Sequence, residues 1–114
     1  MQVTLPYPPS VNTYWRINQN RLIVSSLGRA YQATVADIIH EAGLDSTITA
    51  RCRVHIAAYP PDNRRRDLDN ILKASFDAIT KSGLWRDDSL VDFLSVARRD
   101  TQPPGRIEVT IEQQ

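Results

Sequence analysis

From Ala50 to Tyr59 the chain alternates, with Cys52, Val54, Ile56 and Ala58 on one face and Arg51, Arg53, His55 and Tyr59 on the other. That period of two predicts a strand with one buried face. Ile107, Val109 and Ile111 alternate with Arg106, Glu108, Thr110 and Glu112, a last strand of the same kind. Leu90 to Arg99 carries Val91, Phe93, Leu94 and Val96, but its alternation breaks at Phe93-Leu94, which predicts a bulge or burial on both faces. Val3-Thr4-Leu5 and Arg21-Leu22-Ile23-Val24 read as shorter strands. Two stretches switch to a helical period. Between Leu27 and Ala42 the residues Tyr31, Val35, Ile38 and Ala42 form one stripe, with Ser25 or Ser26 as N-cap and Gly43 as C-cap. Between Asn70 and Ser82 a second stripe uses Ile71, Leu72, Ser75, Phe76 and Ile79 and takes in Leu68, with Asp69 the natural N-cap and Gly83 closing it.

The predicted order is β-β-α-β-α-β-β. It describes a single α+β domain spanning residues 1–114, a small mixed or antiparallel sheet packed against two main helices. The connections read as loops and turns. Pro6-Tyr7-Pro8-Pro9-Ser10 holds an extended backbone, and Val11 to Arg16 reads as a loop. Two readings of its aromatics stand: they lie on the core, or Tyr14 or Trp15 stacks on DNA while Arg16 meets phosphate. Asn18-Gln19-Asn20 marks a hairpin-like excursion, Pro60-Pro61 ends a strand, and Gln102-Pro103-Pro104-Gly105 is a hairpin loop.

A chain of 114 residues supports one modest core, and help from a partner subunit suits that size. Its 41% apolar and 24% charged content is that of an ordinary globular protein. No apolar run approaches the ~20 residues of a spanning helix. The start Met1-Gln2-Val3-Thr4 lacks the basic and apolar regions of a signal peptide, so a cytoplasmic protein is expected. The one cysteine, Cys52, reads as a small packed apolar residue. His40, near a helix C-terminus, suits the helix dipole.

The net charge of +1 conceals a division. Of the fourteen basic residues only Lys73 and Lys81 are lysines, and six of the ten aspartates fall between Asp67 and Asp92. Arginine suits bidentate phosphate contact, and an acidic patch that binds divalent cations becomes attractive to DNA.

These charges meet in Arg64-Arg65-Arg66-Asp67-Leu68-Asp69-Asn70, followed one turn later by Lys73. A further pair, Asp87-Asp88, lies about twenty residues on. An oxygen-only set of Asp67, Asp69 and Asp87 or Asp88 selects a hard cation such as Mg²⁺ or Mn²⁺. Crowding like charges within ~4 Å costs about 1 kcal/mol per pair even in water, so clustering needs a reason. The plain alternative is an N-cap plus surface charge neutralised by Arg64 to Arg66, with Lys73 in an i, i+4 salt bridge to Asp69. In the functional reading the carboxylates hold metal, Lys73 neutralises developing phosphate charge, and Arg64, Arg65, Arg66, Asn70, Arg16 and Tyr14 face DNA.

Five segments taken together also resemble a known family. Leu5 to Asn12, Ser26 to Tyr31, Arg65 to Asn70, Phe76 to Ile79 and Gly83 to Asp88 look like the corresponding stretches of RusA-type Holliday junction resolvases, in the same order over nearly the whole chain. The resemblance implies a Mg²⁺-dependent homodimeric endonuclease of bacterial or phage origin. Such an enzyme resolves four-way DNA junctions in recombination and repair by paired nicks. It also implies Asp67, Asp69 and Asp88 as catalytic carboxylates, Lys73 as basic helper and Asp87 as a secondary ligand. A two-fold dimer would present one site to each of two equivalent strands. Val91-Asp92-Phe93 departs from the family pattern by placing its aspartate one position early. The rival readings are a less selective branched-DNA or flap nuclease, and a non-catalytic DNA-binding protein.

Overall fold

Cys52–Tyr59 is the strand around which the sheet is built, because it pairs along both edges from Cys52 to Ala58. The computed structural model describes all 114 residues. In chain order the elements are β1 (Gln2–Pro6), the single turn α1 (Val11–Tyr14), β2 (Trp15–Asn18), β3 (Arg21–Val24), α2 (Ser26–Glu41), β4 (Cys52–Tyr59), α3 (Leu72–Ser82), β5 (Val91–Arg98) and β6 (Arg106–Gln113). Short 3-10 turns at Leu68–Ile71 and Asp88–Leu90 lead into α3 and β5.

The main sheet runs β1-β6-β4-β5. β6 is antiparallel to β1 and β4, while β4 and β5 are parallel and joined through α3. This is the mixed α+β sheet expected. The predicted inner faces are buried: Cys52, Val54, Ile56 and Ala58 on β4, Ile107, Val109 and Ile111 on β6, Val3 and Leu5 on β1. Cys52 packs as a small apolar side chain, and burial, then the Asp92 charge, pushes its thiol up. The helices close the core with Tyr31, Val35 and Ile39 from α2 and Ala74, Ala78 and Ile79 from α3.

The helix ends follow the capping residues. Ser25 accepts from the Gly28 amide at 3.0 Å, and Gly83 at φ 83° takes the left-handed C-cap of α3. The inner stripe of α2 ends on Ile39, with Ala42 exposed beyond the last turn. His40 donates from Nε2 to the Ser82 carbonyl at 3.1 Å and lies 3.2 Å from Asp45, a helix-end contact.

Two expectations need correction, and a third resolves to one of its two alternatives. Val11 to Arg16 is no loop but one helical turn running into β2, which completes a hairpin with β3. Asp69 is not the N-cap: the chain stays extended through Asp67, enters a 3-10 turn at Leu68, and becomes α-helical only at Leu72. The break in β5 is a bulge, because Cys52 pairs with Val91 and Arg53 with Phe93, leaving Asp92 as the extra residue. Burial on both faces does not occur, since Phe93 and Leu94 both remain exposed on this edge strand.

Gly28 marks the closest approach between the α2 N-terminus and the hairpin. A Cβ there would lie 2.6 Å from the Tyr14 carbonyl oxygen and 2.7 Å from Val24 Cγ1. The backbone oxygen cannot yield without breaking its 2.8 Å bond from the Ser25 amide. Gly28→Ala is therefore expected to lower stability by about 1–3 kcal/mol despite the better helix propensity of alanine, as read by urea denaturation. A stabilised variant would show that α2 and α1 do not pack this closely.

Candidate active site

Trp85 sets the second half of the site in place. It is buried, donates from Nε1 to Thr80 Oγ1 at 2.7 Å, and meets Phe76 edge to face at 5.4 Å. Its backbone makes a parallel bridge to Ile48. The chain leaving α3 is thereby turned back along that helix, and the acidic turn after it lands beside the helix face carrying Asp69, Lys73, Phe76, Asp77 and Thr80. These residues recur at i, i+4, i+7, i+8 and i+11, one side of a helical surface. Together with Trp15, Asp87, Asp88 and Leu94 they line a cleft of about 460 Å³.

The acidic turn is held from both sides. Asp87 accepts from the Ser89 amide at 3.2 Å and acts as cap of the 3-10 turn, and hydrogen bonding from Ser89, by its side chain first and then its backbone, holds the Asp87 carboxyl below the usual carboxylate range. Arg51 donates to the Ser89 carbonyl at 2.9 Å and to Asp92 Oδ1 at 2.8 Å. Arg51, which the alternation alone had placed on an open strand face, is thus a clamp on this turn, and the bulged Asp92 is its counter-ion. Asp88 is left exposed, without ion pair or side-chain hydrogen bond.

The arginine run behaves differently from the neutralising role open to it in the sequence. Asp62 takes Arg64 at 3.1 Å and Arg66 at 2.7 Å. Hydrogen bonds from Arg66, then Arg64, hold the Asp62 carboxyl well below its ordinary value. Arg66 also stacks over Tyr7, 5.7 Å from the ring centroid. Arg65 is exposed and unpaired. Consequently Asp67 and Asp69 have no cationic partner, and the Asp69–Lys73 salt bridge does not form. Neither side chain caps the turn. The arrangement removes the capping and neutralising explanations for these two carboxylates. Asp62 itself was missed, although its place two residues before Arg64 is a visible i, i+2 and i, i+4 pairing signal.

Asp67 and Asp69 diverge. Asp67 has an extended backbone (φ −88°, ψ 139°) and the turn begins right after it, so Asp67 lines a neighbouring groove of about 630 Å³ with Arg64, Arg65, Arg66 and Asn70, while Asp69 faces the cleft. No three carboxylates, histidines or thiols stand together as a ready-made ion cage. The donor chemistry nonetheless fits a hard divalent cation, since Mg²⁺ is commonly held by one or two carboxylates with water and substrate phosphate completing the octahedron.

Tyr14, expected among the DNA contacts, is buried and hydrogen-bonded, so it has no face to offer a base. Its hydroxyl donates to Asp77 Oδ2, and Gln32 Nε2 donates to the same carboxylate at 2.9 Å and to Tyr14 Oη at 2.8 Å. Burial, then the bond to Asp77, pushes the Tyr14 phenol far up. This network links α1, α2 and the cleft face of α3. Arg16 is exposed on β2. Trp15 packs edge to face on Tyr14 at 5.0 Å, and its indole N–H is buried without an acceptor in the chain.

Residues 6–112 match the family model for Endodeoxyribonuclease RusA. The chain is 47% identical over 109 residues to Crossover junction endodeoxyribonuclease RusA of Escherichia coli strain K12, covering 96% of this chain and 91% of that protein. The Enterobacteria phage 82 protein of the same name is 46% identical and that of Shigella sonnei 45%, with the same coverage. A cleft that holds the unpaired Asp69 and Asp88, beside a groove lined by arginines, thus sits on a sequence shared along nearly its full length with junction nucleases, and the chain belongs to the endodeoxyribonuclease RusA family.

Proposed function

We propose that the protein is a Mg²⁺-dependent endodeoxyribonuclease that resolves four-way DNA junctions, acting as a cytoplasmic homodimer in recombination and repair. The observation that carries this reading is that Asp67 and Asp69, their neighbouring arginines drawn off by Asp62, and Asp88 on the turn after α3 all stand exposed without a cationic partner. Uncompensated carboxylates are a standing electrostatic cost that bound metal and substrate phosphate relieve.

Asp69 and Asp88 would hold the cation across the cleft, with Asp67 the third carboxylate and Asp87 kept to its cap. When bound, Mg²⁺ supplies an activated water and charge stabilisation at the leaving oxygen. Lys73, one turn beyond Asp69 and free of any ion pair, neutralises charge developing on the phosphate. Arg65, Arg16 and the exposed flank of Arg64 meet flanking phosphates, and Asn70 borders the same groove. Arg66 is a scaffold residue, fixed by Asp62 and Tyr7.

The sheet leaves one face open to a second copy. Its face away from the helices carries Thr4, Arg53, His55, Ala57, Thr110 and Glu112, none of them buried. Two copies related by a two-fold axis present one cleft to each of the two strands to be cut.

Asp69→Asn is expected to reduce Mg²⁺-dependent nicking of a synthetic four-way junction by more than a hundredfold while junction binding stays measurable, since ligand loss should exceed the ~10–100-fold cost of an outer-shell change. Wild-type cleavage by this variant would remove Asp69 from the site, and equal rates on junction, flap and linear duplex would argue for a less selective nuclease. Asp67→Asn, measured by urea denaturation without divalent cation, should be neutral or stabilising; a loss well over ~1 kcal/mol would return Asp67 to a capping role. Arg51→Ala releases the acidic turn and should lower cleavage about tenfold or more while costing stability under ~1 kcal/mol, because the pair is exposed. An unchanged rate would mean that Asp88 needs no clamp.

A further inference from the structure

The two most exposed large apolar side chains of the protein stand side by side. Ile17 is 75% exposed and Leu22 63%, and they are directly opposed in the β2–β3 register. Opposed residues of an antiparallel pair share a face. Two positions down each strand, on that same face, are Trp15 and Val24, which pack against the core. Trp15 is also a wall of the cleft that holds Asp69, Lys73 and Asp88. The face that begins as cleft wall therefore continues out along the ribbon and ends in two aliphatic side chains in water. The tip is tight: Gln19 and Asn20 both have positive φ, 52° and 62°, the two-residue turn that keeps a hairpin short. Arg16 and Arg21, next to the apolar pair in sequence and on the opposite face of the ribbon, are exposed and form no ion pair.

We propose that Ile17 and Leu22 form a wedge that enters the branch point of the DNA and covers the base-pair face exposed there, while Arg16 and Arg21 meet the adjoining phosphates. The inference rests on the junction-cleaving reading given above. Stacking is interrupted at a branch point, so an apolar side chain can cover a base face there without first opening the helix. In linear duplex it would have to unstack a step. Charge complementarity favours this occupant, since both flanking side chains are unpaired cations and the pair adjoins the proposed site of phosphate hydrolysis. A second copy of the chain is a poorer occupant, because two side chains on a narrow ribbon supply a small part of the ~1,000 Å² a specific protein interface needs. The wedge would thus contribute to preference for branched over linear DNA and set the cut a fixed distance from the crossover.

The test replaces Ile17 and Leu22 together by threonine, which keeps strand propensity at two exposed positions and removes the apolar surface. A four-way junction carrying 2-aminopurine beside the branch point is titrated in EDTA, so that binding is read without cleavage. Wild-type protein should raise the fluorescence, because an aliphatic side chain laid over the probe displaces the stacking that remains between arms across the branch point and quenches less than a base does. The I17T/L22T variant should abolish that rise and weaken junction binding about tenfold, in the range of one lost base-stacking contact, with linear-duplex binding unchanged. The I17L/L22I variant should restore both signals. A full rise with I17T/L22T, equal loss on junction and duplex, or a shift in sedimentation from dimer to monomer would overturn the wedge. Wild-type protein that nicks junctions with no rise sinks the wedge alone; wild-type protein that nicks no branched DNA sinks the functional reading with it.

Discussion

Everything chemical in this protein depends on Trp85 being anchored. The two acidic segments are separated by a helix and a left-handed glycine turn, and nothing in their own charges would bring them together; mutual repulsion works the other way. Burial of the indole against Phe76 and its bond to Thr80 oppose that repulsion. Fully burying an aromatic side chain contributes about 1.5–3 kcal/mol, larger than the ~1 kcal/mol of a solvated like-charge contact. The apolar term wins, and Asp69 and the acidic turn are held on one cleft by the packing of a buried indole.

The same logic recurs in the arginine run. A row of three guanidiniums beside two carboxylates invites direct pairing, which would leave neither free for the proposed cation and phosphate contacts. Asp62 prevents this by drawing Arg64 and Arg66 toward the end of β4. On the far side, Tyr14 and Gln32 occupy the one carboxylate on the cleft face of α3 that has a structural task, Asp77. Of the acidic side chains around the helix, some are committed to the scaffold and others left free. Asp62, Asp77, Asp87 and Asp92 belong to the first group; Asp67, Asp69 and Asp88 belong to the second.

Much of this was legible in the chain. Period-two alternation located β4 and β6 because each has one buried and one open face, and glycines closed both main helices where φ must turn positive. The N-terminal hairpin was half hidden. Trp15 and Arg16 belong to a ribbon outside the main sheet, where burial on one end and exposure at the other blur any alternation. The start of α3 was misplaced because Asp69 has the chemistry of a cap, whereas the 3-10 turn that intervenes is set by tertiary contacts. The burial of Tyr14 had no local signal, since its partners Gln32 and Asp77 lie in other helices. Asp67 and Asp69 were seen as a pair, but their divergence depends on a backbone change between them that spacing alone does not encode. Donor chemistry, not periodicity, linked Asp67 and Asp69 to Asp87 or Asp88, and the family resemblance chose Asp88.

The bulge at Asp92 gives the sequence a sensitivity of another sort. Without that extra residue, Val91, Phe93, Leu94 and Val96 would follow an unbroken in-and-out rhythm, and the strand would pair with β4 equally well. Its effect is to fix how many residues lie between the acidic turn and the first regular pair of β5. In this part of the chain length is read as strictly as identity: substitutions at exposed β5 positions leave the spacing intact, whereas gain or loss of a single residue rephases Asp88 against the helix. Divergence of this strand should therefore proceed by exchange of side chains far more readily than by insertion or deletion.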